Sequence, residues 1–382
     1  MKNRILGVAF AATQMLVALD STAASPATTR APFGTLADGR RVEAITLHGA
    51  DGVSAVVINY GAALQSLVLP DRDGKPADIT LGSATLEGYL SKPQYFGATV
   101  GRFANRIAKG AFALDGKAYQ TPRNNNGNAL HGGDRGFDKV LWEIAATGKE
   151  AEASVTLRYE SPDGDQGYPG KLTALATYSL KGRELTIEYR ATTDAPTIVN
   201  ITNHSYWNLA GEGAARSALD HVLMIPAETY TPVDAGLIPT GEFRSVAGTV
   251  FDFRKPTAIG ARVRDAAEAQ IALGRGYDHN FVIARAVSKE PRLHARVVEP
   301  ASGRGFELWS NQPGLQFYSG NFLDGTTIGK SGHLYRQGDA IALEPQIFPD
   351  TPNRKEFGSA RLAPGETYRN VIIYRFFTQT PR

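Results

Sequence analysis

The chain has 382 residues, 42% of them apolar and 21% charged, which is enough apolar material for one large β unit or two domains and excludes intrinsic disorder and collagen-like repetition. The absence of cysteine excludes disulfide frameworks, thiolate zinc sites, iron–sulfur clusters and a cysteine nucleophile. With 41 Lys+Arg against 38 Asp+Glu, the net charge of +3 is too small a footprint for nucleic acid or a lipid surface, so a neutral or weakly charged partner is expected.

Lys2 and Arg4 precede an apolar stretch from Ile5 to Leu19, and Asp20-Ser21-Thr22-Ala23-Ala24-Ser25 follows with the small residues of a cleavage site. This is the layout of a secretory signal. Interrupted by Gln14, the stretch falls short of the roughly 18 uninterrupted apolar residues of a spanning helix. The expectation is a leader over residues 1–24 and a mature protein exported to the periplasm, with no membrane contact once the leader is removed.

From residue 33 onward, short alternating runs are separated by turn chemistry, the pattern of sheets with one face buried. Asp73-Gly74, Asp115-Gly116, Lys181-Gly182 and Ser302-Gly303-Arg304-Gly305 fall between apolar runs, where glycine supplies the positive φ of a tight hairpin. Ser154-Val155-Thr156-Leu157-Arg158-Tyr159 and Glu184-Leu185-Thr186-Ile187-Glu188-Tyr189 alternate cleanly and predict antiparallel strands. Helical periodicity is scarce, the best stretch running from Ile259 to Leu273, so a doubly wound α/β fold is not expected. Gly274-Arg275-Gly276 lacks the third glycine of a dinucleotide loop. With no internal repeat or long linker, the prediction is one large all-β domain over residues 33–382.

Polar, titratable residues gather in five segments: Gly101-Arg102-Phe103-Ala104-Asn105-Arg106, Ala129-Leu130-His131-Gly132-Gly133, Thr202-Asn203-His204-Ser205-Tyr206-Trp207-Asn208, Gly276-Tyr277-Asp278-His279-Asn280-Phe281 and Ala342-Leu343-Glu344-Pro345-Gln346. Alternate residues of an extended segment share a face, which puts Asn200, Thr202, His204 and Tyr206 on one side and Val199 and Ile201 on the other. A wet outer face would explain the polarity. Aromatic rings among amides and an imidazole fit better a groove where rings pack on sugar C–H faces and amides bond hydroxyls. Pro345 is expected to end ladder pairing and leave Glu344 at a strand end facing a cleft; a rim salt bridge is the plainer reading. The Glu344 pKa would rise on desolvation and fall beside an arginine. His131 before two glycines marks a close backbone approach or merely a hairpin, and taken alone Asp278 reads as a turn cap and Arg106 as a surface arginine. Together these residues supply a base, an acid and several hydrogen-bond donors.

Other motifs fail inspection. Asp163-Gly164-Asp165-Gln166-Gly167 faintly matches a calcium loop, but Ala174 stands where the bidentate carboxylate belongs. Asn200-Ile201-Thr202 and Asn203-His204-Ser205 match the glycosylation pattern inside an expected strand. A zinc site made from His131, His204 and Asp278 finds no support in spacing.

Six segments occur in order: Gly101-Arg102-Phe103-Ala104-Asn105-Arg106-Ile107, Leu130-His131-Gly132-Gly133, the run from Ser161 to Gly170, Thr202-Asn203-His204-Ser205-Tyr206-Trp207-Asn208-Leu209, Tyr277-Asp278-His279-Asn280-Phe281 and Leu343-Glu344-Pro345-Gln346. On these the chain resembles the aldose 1-epimerase, or galactose mutarotase, family over nearly everything after the leader. The resemblance implies a large antiparallel β-sandwich of the galactose mutarotase type, a sugar cleft on one concave sheet, and no metal or organic cofactor. It places the general base at Glu344 and the general acid at His204. It assigns sugar contacts to Asn105, Arg106, His131, Tyr206, Asp278 and, in the segment from Gly314 to Phe322, Gln316. The implied activity interconverts α and β anomers of free aldohexoses such as glucose and galactose, with Glu344 starting ionised and His204 protonated. The partner is a monosaccharide and the chain a monomer or weak dimer. A non-catalytic carbohydrate-binding protein would need no apposed glutamate and histidine, and a hexose-phosphate epimerase of the same fold would need an arginine cluster that Arg102 and Arg106 alone do not make. A polysaccharide hydrolase would need a second flanking carboxylate, for which Asp278 is the nominee.

Overall fold

The computed structural model describes residues 28–148 and 153–379, and the leader expected over residues 1–24 lies outside them. Among the described residues, alternating strands build three main antiparallel sheets. The largest runs Glu143–Thr147, Ala153–Ser161, Leu172–Lys181, Glu184–Thr193, Tyr368–Thr378, Arg304–Ser310, Arg292–Val298, Val222–Met224, Thr257–Ala258. In Leu172–Lys181 every second residue from Leu172 to Leu180 is buried and its neighbours are not, as a sheet with one wet face requires. Asp115 and Gly116 both take positive φ to close the pair Leu114↔Lys117, the geometry of a two-residue hairpin loop.

A six-stranded sheet runs Tyr206–Trp207, Ile341–Gln346, Gly314–Tyr318, Asp278–Val282, Thr229–Thr231, Arg244–Ser245. Its alternation sorts two faces. Trp207, Leu343, Leu315, Phe317, Phe281 and Tyr230 enter the main core, where the Trp207 ring lies 4.7 Å from Tyr374 and 5.3 Å from Phe306 of the large sheet. Leu47, Val57 and Leu67 join the same core from a five-stranded sheet, Thr28–Thr35, Arg41–His48, Ser54–Ile58, Ala63–Pro70, Pro76–Asp78. The other face of the six-stranded sheet carries Tyr206, Glu344, Gln316, Tyr318, Asp278 and Asn280, which the cross-strand register sets side by side. Burying each large apolar side chain of the inner face stabilises by about 1.5–3 kcal/mol. A one-residue slip of Ile341–Gln346 would exchange Leu343 for Glu344 in the core, so the packing that fixes register also aims the carboxylate.

Two elements differ from expectation. The first strand starts at Thr28, ahead of the expected domain start at 33, because the segment 28–32 finds a ladder partner in Arg41–His48. The helix expected over Ile259–Leu273 is broken into a 3₁₀ turn, Ile259–Ala261, and a short α-helix, Ala269–Gly274. Asp265 Oδ1 accepts from the Ala267 amide and Glu268 caps Gln270, so the chain turns and restarts; Arg262 instead leans over Phe253 and bonds the Thr249 and Asp252 carbonyls. No helix among the described residues is long and apolar enough to cross a membrane.

Candidate active site

Glu344 sits within its strand, not at its end: pairing continues through Pro345↔Leu315 and Gln346↔Gly314. Proline is tolerated because its missing N–H faces away from Gly314–Tyr318. On that side its carbonyl accepts from Thr202 Oγ1 at 2.7 Å and Asn370 Nδ2 at 3.0 Å. Thr202, expected to line a groove with His204, is thus a tie to the Glu344 strand. So is Asn200, whose amide donates to the Ala104 carbonyl and accepts from the Ile347 N–H. Val199 and Ile201 do enter the core, leaving His204 and Tyr206 to face the cleft.

His204 comes from Thr202–His204, paired with Ala98–Val100, and brings Nε2 to 3.6 Å from Glu344 Oε1. Its ring is wedged by four others: Tyr206 at 5.0 Å, Tyr95 at 5.7 Å, and, edge-on, His131 at 5.2 Å and Tyr318 at 6.4 Å. Asn105 and His131 clasp each other: the His131 N–H donates to the Asn105 carbonyl at 3.0 Å, and the Asn105 N–H donates to His131 Nδ1 at 3.1 Å. Gly132 makes the clasp possible, because at its φ of +93° a Cβ would collide with the Gly101 carbonyl. Across the floor, Asp278 accepts from Gln316 Nε2 at 2.7 Å and faces Arg106 Nη1 at 3.8 Å. Arg102, by contrast, is an interior strut whose guanidinium donates to the carbonyls of Ser161, Pro162, Pro169 and Gly170. The carboxylates of the calcium-like motif serve the same loop, Asp165 accepting from Ser161 Oγ and Asp163 from the Gly170 N–H.

Burial dominates the electrostatics. It pushes the Glu344 carboxyl well above the usual range, helped by Asp278 and opposed by Arg106, and raises Asp278 against the pull of Arg106 and Gln316. It lowers His204 to about 4 and holds His131 well below the ordinary histidine value. Burial thus favours the neutral form of each group in the free site, where the resemblance implies an ionised glutamate facing a charged histidine. Among the described residues, His131, His204 and Glu344, without Asp278, each bring a potential metal-ligand atom within 4.8 Å of the others. His131 does not fit. Its Nδ1 lone pair receives the Asn105 N–H, so the neutral ring carries its proton on Nε2 and presents a donor.

The model of the family described as aldose 1-epimerase matches residues 43–375. The chain belongs to the aldose 1-epimerase family. It is 47% identical to the galactose mutarotase of Rattus norvegicus over 349 residues, 91% of this chain and 98% of that one. It is 37% identical to the aldose 1-epimerase of Escherichia coli K12 over 346 residues, 90% of this chain and 97% of that one. The solved galactose 1-epimerase of Lactobacillus acidophilus superposes with a TM-score of 0.82 at 30% identity, covering 93% of this chain and all of that one.

In this aldose 1-epimerase family member, Asn105, Arg106, His131, His204, Tyr206, Asp278 and Glu344 line one cavity of about 430 Å³. Gln316 does not line it; it stands between Glu344 and Asp278 and orients the latter. Sequence reasoning missed Tyr95, Tyr318, Asn125 and the mouth residues Phe322 and Arg275. Tyr318 was within reach, two residues beyond Gln316 on the same face of a strand. Asn125, which accepts from Arg106 Nε at 3.3 Å, and Tyr95 sit in segments without periodicity.

Proposed function

We propose that the protein interconverts the α and β anomers of free aldohexoses, galactose and glucose among them, by ring opening and reclosure, with Glu344 as base and His204 as acid. The observation that carries this reading is the approach of Glu344 Oε1 to within 3.6 Å of His204 Nε2 in a cavity that also presents Asn105, Arg106, His131 and Asp278. The hydroxyl and ring oxygens of a hemiacetal are bonded to one carbon, so two groups this close reach both. Glu344 takes the O1 proton, C1=O1 forms as the C1–O5 bond breaks, and O5 takes the proton that His204 releases. Rotation about C1–C2 turns the other face of the aldehyde to O5, and the same steps run backwards. Every proton taken is returned, so no co-reactant is consumed. Each positioned group contributes roughly 10²–10⁴ in rate, and Arg106, Asp278 and the His131 Nε2–H hold hydroxyls in register.

The pair works with one proton between its members. Burial favours that proton on Glu344 in the free site; sugar hydroxyls donating to the carboxylate replace lost hydration and favour the reactive arrangement, carboxylate against imidazolium. The relatives named for galactose support that sugar as a substrate. A phosphorylated sugar is disfavoured, because Arg106 is engaged by Asp278 and Arg102 is turned into the interior. Polarimetry on freshly dissolved α-galactose is the test. Rotation relaxing faster than the buffer blank, in proportion to protein, supports the reading, and relaxation at the blank rate with folded protein overturns it. We place the reaction outside the cytoplasm on the strength of Lys2, Arg4 and the apolar run to Leu19. A periplasmic product beginning just after Ala23 or Ala24 supports export, and an uncleaved cytosolic product contradicts it.

A further inference from the structure

The polar face of the six-stranded sheet continues behind Glu344, where the cavity does not. Asn280 stands directly across from Gln316, which stands across from Glu344, and Gln346 lies two residues beyond Glu344 on the same face. Asn280 is 1% exposed, Gln346 is fully buried, and neither lines the sugar cavity. All four side-chain amide atoms of these two residues lack a protein hydrogen-bond partner, and so do Gln316 Oε1 and Glu344 Oε2. Six polar atoms on one buried sheet face are not left unpaired in a stable protein. Gly314, opposite Gln346, has no side chain, and a Cβ there would collide with Asn280 Oδ1 and press on Phe348 Cδ1, so this glycine is what admits the Asn280 amide to the face. A partner for donors and acceptors set so close together must be small and able both to donate and to accept, which describes water.

We propose that Asn280 and Gln346 are positioning residues for anomer interconversion: with Gln316 they hold buried water against Glu344 Oε2, so that Oε1 is the oxygen turned toward His204 and the sugar. The proposal rests on the catalytic reading of Glu344 and His204. The titratable and charged groups facing the carboxyl are His204, Asp278 and Arg106, with the hydroxyls of Tyr206 and Tyr318 on the floor and Tyr374 from the core side. None of them bonds Oε2, so the water shell is what orients that oxygen.

Two readouts test this. An atomic-resolution crystal structure of the wild-type protein should show ordered water bonded to Glu344 Oε2 and to at least two of the three amides. Amides bonded directly to one another, with no water on Oε2, would overturn the proposal whether or not the variants fold. Gln346→Met and Asn280→Leu should each lower kcat roughly tenfold to a hundredfold with KM within about twofold, and should move the limb of the pH–kcat profile assigned to Glu344. Folded variants with kcat and that limb unchanged sink the idea. A wild-type protein with no activity would instead remove the catalytic reading while leaving the crystallographic result to be judged on its own.

Discussion

Replacing Glu344 by glutamine separates proton transfer from everything else the site does. Glutamine keeps the shape of a side chain that is 2% exposed and, because burial already favours the neutral carboxyl, uncovers no buried charge. Folding stability should therefore change by less than about 1 kcal/mol in a urea titration. The lost step is acceptance of the O1 proton. At roughly 10²–10⁴ for a positioned group, this raises the barrier by about 2.7–5.4 kcal/mol. Sugar affinity should survive, since Arg106, Asp278 and His131 are untouched. Polarimetry gives kcat after subtraction of the uncatalysed rate, and calorimetric titration with galactose gives the affinity. A folded Glu344→Gln protein whose kcat stays within about tenfold of wild type would refute the assignment, because no smaller effect is compatible with loss of the base.

The wild-type profile of kcat/KM against pH should be a bell: activity falls near pH 4, where His204 takes a second proton and leaves the pair without a base, and falls again well above the carboxylate range, where Glu344 loses the only proton. An alkaline limb at an ordinary glutamate pKa of about 4.3 would contradict this. Asp278→Asn keeps an acceptor for Gln316 but removes the charge opposite Arg106, so KM should rise about tenfold, the worth of one charge-assisted hydrogen bond. The same change lifts the repulsion on Glu344 and should shift the alkaline limb downward; both quantities unchanged in steady-state kinetics would count against the pairing. His279, in the core beside Phe251, is held down to about 3 by burial, so its contribution is fully present above its unfolded value of 6.5 and is lost as pH falls toward 3. Relative to His279→Gln, the wild type should lose about 1.4 kcal/mol per pH unit across that window in urea titrations, and a constant difference would show the ring is not kept neutral.

The strands were legible where one face is wet, since Ser154–Tyr159 and Glu184–Tyr189 alternate because water fixes one side and the core the other. Legibility failed where both faces are covered. Every residue of Ile341–Gln346 is buried, and proline was read as a stop because no local pattern reveals that Thr202 and Asn370 would occupy the side where its N–H is missing. The Ile259–Leu273 stretch failed for a related reason: its apolar spacing suits a helix, but Asp265 and Glu268 offer side-chain partners that turn the backbone. Seven residues of the cavity lining, Glu344 and His204 among them, could be named from six ordered segments. What could not be read was the carpentry around it: the reach of Tyr95 onto both histidines, and the diversion of Asn200 and Thr202 from lining to bracing.

Proton exchange spectroscopy on galactose already at anomeric equilibrium tests the central claim most directly, because it watches the α and β anomeric protons trade places with no net reaction. Exchange should grow in proportion to wild-type protein and return to the buffer level with either Glu344→Gln or His204→Asn. Exchange that persists at the wild-type rate in both folded variants would show that some other pair of groups opens the ring.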